Sequence, residues 1–131
     1  MAMDGGDTFL VDRPGTSYDS HLWIVLSKPS LDPNHVLIVN LTSWRPDKDQ
    51  ACVLRPGDHP YIKKKTCVNY ADSKIVSEDQ IGELLDRGLL LAHEPVDPAL
   101  LEGMREAAVE SRFMPLDHAE ILFEQGLVAE S

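Results

Sequence analysis

The sequence lacks a basic excess: 12 Lys+Arg stand against 22 Asp+Glu in 131 residues, a formal charge of −10. As an average, that argues against a nucleic-acid partner, because such binding normally shows as a basic footprint. Long apolar runs are also missing. The longest in the first half, Leu22–Leu26, is far too short to span a bilayer. Residues 1–7 have neither a basic start nor an apolar stretch, so no signal peptide, no membrane association and a cytoplasmic location are expected. Only two cysteines occur, Cys52 and Cys67, and not as Cys-x-x-Cys. That favours two buried thiols over a zinc or redox site. The five histidines (21, 35, 59, 93, 118) never fall at HxH or HExxH spacing, so no metal and no cofactor are expected. Gly5, Gly6 and Gly57 do not form a phosphate loop, and there is no internal repeat or low-complexity segment.

The charge is divided along the chain. Up to Val76 there are nine basic and nine acidic residues; from Ser77 onward there are three and thirteen. The organisation divides at the same place. Length and composition predict a single domain over 1–131, mainly β over 5–76 and helical and acidic over 77–131. Strands are expected at Thr8–Val11, His21–Leu26, Val36–Thr42 and Ala51–Leu54, with Tyr61-Ile62 and Cys67–Tyr70 continuing the pattern. Asp12-Arg13-Pro14-Gly15 breaks the first, and Arg55-Pro56-Gly57-Asp58 suits a type II turn. By the period of two, Leu37, Val39 and Leu41 face the core. Asn40 and Thr42 project together at one rim. Ser77 to Gln80 forms a capping box that opens a helix stopped by Gly88. Asp97-Pro98 opens a second helix, and a third runs from Pro115 to Gln125. The reading is a small, strongly bent sheet or barrel first and helices after, an α+β class.

Four groups of residues carry chemistry. Asp58 and His59 adjoin on a turn and offer acid/base groups; the plain alternative is that Asp58 closes the turn. His21 begins the strongest strand, either as a catalytic or phosphate-contacting group or as a half-buried histidine with a satisfied ring. Asn40, Thr42 and Ser43 end the next strong strand, where they bind a phosphate, orient a base or merely cap the sheet edge. Lys63, Lys64 and Lys65 follow Tyr61, and an ammonium cluster beside an aromatic face supplies the parts of a single-strand groove. A solvated loop is the alternative.

The order Gly6-Asp7-Thr8-Phe9-Leu10-Val11, then Leu22-Trp23-Ile24-Val25-Leu26-Ser27, then Val36–Leu41 with Thr42-Ser43, and later Thr66-Cys67-Val68 resembles the PemK/MazF toxins of type II toxin–antitoxin systems. The likeness covers the layout of about residues 5–110. It implies an SH3-like barrel with C-terminal helices, a homodimer, a cognate antitoxin and a cytoplasmic endoribonuclease. That enzyme cuts single-stranded RNA without a metal, by attack of a ribose 2′-hydroxyl on the neighbouring phosphate. Thr42 falls on the family's functional Thr/Ser.

His21-Leu22 stands where the family has Arg-Pro, and that arginine is a principal catalytic group. Either chemistry has moved to a His21/His59 pair, with Thr42, Ser43 and the lysines on the phosphate, or it is weakened or lost. The second outcome is a non-catalytic SH3-like interaction or RNA-binding module. A third is a subunit of a larger assembly docked through its acidic helices, which are also expected to cover or repel ligand from the basic groove.

Overall fold

The long central strand is where both faces of the sequence become apolar. It organises a computed structural model that describes residues 3–11, 21–29 and 34–129. The elements are β1 (Thr8–Val11), β2 (Leu22–Val25), β3 (His35–Ser43), β4 (Val53–Leu54), β5 (Thr66–Ser77), α1 (Glu78–Asp86), β6 (Leu90–His93), α2 (Pro98–Glu110) and α3 (Leu116–Glu124). All strand pairs are antiparallel, in the order β4-β5-β3-β2-β1-β6. They form one curled, half-barrel sheet accompanied by three helices, an α+β fold. The Asp12-Arg13-Pro14-Gly15 breaker lies outside the described residues.

Leu37, Val39 and Leu41 face one core, as alternation predicts, beside Leu22, Ile24, Val68 and Tyr70. Helices α2 and α3 close that face with Met104, Ala108, Ala119 and Leu122. Burial of side chains such as Met104 and Leu122 stabilises by about 1.5–3 kcal/mol each. Polar contacts fix the register of the helices on the sheet. The Tyr70 hydroxyl donates to the Met104 carbonyl at 2.6 Å, and Arg105 Nε donates to the Leu26 carbonyl at 2.7 Å. The opposite face holds a second core of Phe9, Val25, Val36, Ile38, Ile81 and Leu90.

The caps fall at the predicted residues, although among the described residues Ser77 makes only its half of the capping box, with no return bond from the Gln80 side chain. Ser77 Oγ accepts from the Gln80 amide at 3.3 Å, and Asp97 Oδ1 from the Leu100 amide at 2.8 Å. Gly57 takes φ +104°, which the second central position of a type II turn requires, and the Asp58 amide closes that turn on the Arg55 carbonyl.

Three expectations are corrected. The division at Ser77 does not separate strands from helices, because β6 lies between α1 and α2 and pairs with β1 through Thr8–His93 to Val11–Leu90. Its Leu-Leu-Ala-His sequence has no strand signature, so pairing with β1 determines its conformation. Second, β5 runs on to Ser77 instead of ending at Tyr70. The polar Ala71–Lys74 stretch stays extended against β3 across an irregularity between Ile38 and Asn40. Third, Tyr61-Ile62 is not a strand; it lies in the loop between β4 and β5.

Cys52 is partly buried and Cys67 fully, and both are free thiols. Burial pushes the Cys52 thiol from an ordinary 9.0 up to about 11, partly opposed by its hydrogen bond with Tyr70. Burial raises Cys67 as well. A raised acid is neutral in the folded chain while its unfolded counterpart ionises. Its contribution is therefore complete below pH 9 and lost as pH climbs through about 11. Urea midpoints are expected to fall across that window, and Cys52→Ala should flatten the fall; an unchanged slope in the variant would assign it to other groups.

Candidate nucleic-acid interface

An open groove of about 520 Å³ is lined by His21, Leu41, Thr42, Ser43, Tyr61, Lys63, Lys64 and Thr66. It draws on the start of β2, the end of β3, the β4–β5 loop and the start of β5. These segments meet because β2 and β5 flank β3 on either side. None of the lining residues comes from a helix, so the acidic helices do not cover the groove.

His21 is exposed, and its Nδ1 lies 2.9 Å from the Leu41 carbonyl. A carbonyl oxygen can only accept, so Nδ1 carries a proton, and in the neutral ring the lone pair is then on Nε2. The ring is thus oriented by backbone, with its basic nitrogen to spare. Thr42 Oγ1 accepts from Lys48 Nζ at 2.8 Å, and the same ammonium donates to the Ser43 carbonyl at 3.0 Å. With one lone pair occupied, the Thr42 hydroxyl proton is left for an anionic ligand. Tyr61 sets an aromatic side chain in the wall, edge-on to His93 with centroids 6.3 Å apart. Burial raises its phenol above the ordinary value, opposed by a bond from the Leu22 backbone, so it remains a neutral donor. Lys63 and Lys64 supply the charge.

Six of the ten residues singled out from sequence therefore share this groove: His21, Thr42, Ser43, Tyr61, Lys63 and Lys64. The other four do not line it. His59 is 3% exposed; its Nε2 is 2.6 Å from the Glu94 carbonyl, and its Nδ1 accepts from the Tyr61 amide at 3.1 Å. Both nitrogens are committed, so the ring is a buried neutral brace that sets the Tyr61 backbone. The ring packs 5.3 Å from His93. Asp58 Oδ2 accepts from the Arg55 amide at 2.8 Å and closes the turn. Asn40 is 2% exposed and donates to Asp72 at 2.7 Å, with its own Oδ1 unpartnered. Lys65 Nζ sits 3.7 Å above the Trp44 ring, a cation–π contact.

Lys48 was not legible as a site residue. It lies six positions past Thr42, and only the turn around Pro46-Asp47, closed by the Lys48 amide on the Arg45 carbonyl, returns it to β3. That Pro-Asp pair was the available signal.

No family model, curated protein or solved structure matches this chain. Among the described residues no cluster of His, Cys, Asp or Glu is arranged to hold a metal ion, and no helix is long and apolar enough to cross a membrane.

The two histidines respond differently to removal. His59→Ala leaves the Glu94 carbonyl short of a donor and the Tyr61 amide short of an acceptor, an expected loss of about 2 kcal/mol. His21→Ala, at an exposed site, should change stability by less than about 0.5 kcal/mol. Urea unfolding of both variants measures this, and equal losses would show that His21 is structural as well.

Proposed function

We propose that the groove binds single-stranded RNA and cleaves it by attack of a ribose 2′-hydroxyl on the adjacent phosphate. The protein would then be a toxin of the PemK/MazF type on an SH3-like barrel. The observation that supports this is the meeting of His21, its Nδ1 engaged by the Leu41 carbonyl, with Thr42, Ser43, Lys63 and Lys64 in one open groove. His21 Nε2 takes the 2′-hydroxyl proton. The 2′-oxygen bonds to phosphorus, the bond to the 5′-oxygen breaks, and that oxygen takes a proton from the Lys63 or Lys64 ammonium. Thr42 Oγ1 and the lysines stabilise the charge gathering on the phosphate. The products are a 2′,3′-cyclic phosphate and a 5′-hydroxyl.

Partners follow from the same reading. β6 is an edge strand with Leu91 exposed, next to exposed Leu89. An apolar edge of this kind supports a homodimer or antitoxin contact. Expression without an antitoxin should arrest growth, and His21→Ala should relieve the arrest. Normal growth with intact cellular RNA would remove the toxin reading.

A second reading is favoured by one observation. With both nitrogens of His59 committed, His21 is the single imidazole in the groove. A groove with one imidazole and two ammoniums also suits a module that holds RNA without cutting it. Bound but intact RNA distinguishes this case.

A further inference from the structure

A second cavity of about 220 Å³ adjoins the groove, and Thr42 lines both. Its volume falls below the range of about 300–1,000 Å³ usual for pockets that take drug-sized ligands, which suits one planar ring system. Cys67, Val68 and Ala71 give it an apolar lining, and Phe113, 49% exposed, offers a ring face at the rim. Five polar side chains line it as well: Thr42 and Lys48, which bond to each other, and Asp47, Asp49 and Asn69. The Asp49 carboxylate is committed, accepting from the Ala51 amide and the Ser111 hydroxyl. Asp47 and Asn69 make no side-chain hydrogen bond to other described residues. Two carboxylates against the one Lys48 ammonium leave the cavity net negative and unfavourable to a phosphate, so the backbone of a strand stays on the Lys63–Lys64 side of Thr42.

We infer that this cavity receives one extruded nucleobase of the RNA held in the groove, and that it selects bases carrying an exocyclic amine. The inference rests on the RNA reading above. An unstacked base is held by stacking on an aromatic ring and by hydrogen bonds to its edge. Here Phe113 is the ring, Asp47 accepts from the amine as acidic residues do from cytosine, and Asn69 completes the edge. Adenine, cytosine and guanine satisfy Asp47. Uracil has no exocyclic amine and offers only its N3–H, flanked by two carbonyl oxygens that the carboxylate repels, so it is disfavoured. Lys48, bonded to Thr42 and the Ser43 carbonyl, stands at the boundary where the phosphate precedes the base.

The test uses the full chain and 2′-O-methyl octamers, which bind but cannot be cleaved: octauridylate and the same octamer with one central A, C or G. Anisotropy at fixed salt is expected to give about tenfold tighter binding of the three substituted octamers. Asp47→Ala should erase that preference while leaving octauridylate binding unchanged or tighter, because a repelling charge is gone. Phe113→Ala should weaken the substituted octamers by about tenfold and spare octauridylate. Equal affinities in the unmodified protein, or a preference that survives Asp47→Ala, overturn the base site and leave the groove standing. Failure of every octamer to bind overturns the RNA reading and this inference together.

Discussion

His21→Ala is expected to lower RNA cleavage by a factor of about 10² to 10⁴ while leaving RNA affinity within about threefold. The first figure is the range for a positioned general base. The second follows from the site. The His21 Nδ1–H is given to the Leu41 carbonyl, so a single exposed ring nitrogen is left for the strand, whose phosphates are gripped mainly by Lys63 and Lys64. Loss of cleavage with binding intact assigns His21 to the chemical step. A parallel loss of affinity would instead make it a ligand contact. His21→Gln refines the result: an amide can hydrogen-bond but cannot take up a proton, so it should be as inactive as the alanine variant.

The second large effect concerns charge. Lys63 and Lys64 line the groove, whereas Lys65 is held over Trp44. Each ammonium that neutralises a phosphate of a single strand adds about 0.7 to the steepness of log affinity against log salt. Lys63→Ala/Lys64→Ala should therefore flatten that slope by about 1.4 and weaken binding about 25-fold at 0.1 M salt, with little difference near 1 M. Lys65→Ala should leave the slope nearly unchanged. If Lys65 proves equivalent to the other two, the three form a diffuse patch and the groove has no defined path. The acidic helices do not line the groove, so the net charge of −10 acts on a bound strand only as screened, longer-range repulsion.

What was legible followed from local rules. Ser77, Asp97 and Gly57 act through neighbours three or fewer residues away, and each takes the predicted role. Leu37, Val39 and Leu41 alternate as a half-buried strand must. The residues that escaped depend on distant partners. β6 becomes a strand by pairing with β1, about 80 residues earlier, and leucine and alanine carry no sign of it. His59 and His21 look alike in the sequence. Each sets one ring nitrogen on a backbone carbonyl, and what separates them is the burial of His59 and the Tyr61 amide on its second nitrogen. Asn40 and Thr42 share a face of β3, yet the neighbour Asp72 claims one and Lys48 the other. Periodicity assigns faces; it does not tell which polar side chain on a face finds a partner.

The most direct measurement pairs a single-stranded RNA with DNA of the same sequence, incubated with purified protein and a chelator. The proposed chemistry requires the RNA to be cut to 2′,3′-cyclic phosphate ends, while the DNA, lacking the 2′-hydroxyl, is bound and left whole. RNA that is bound at the same affinity and remains uncut would contradict it.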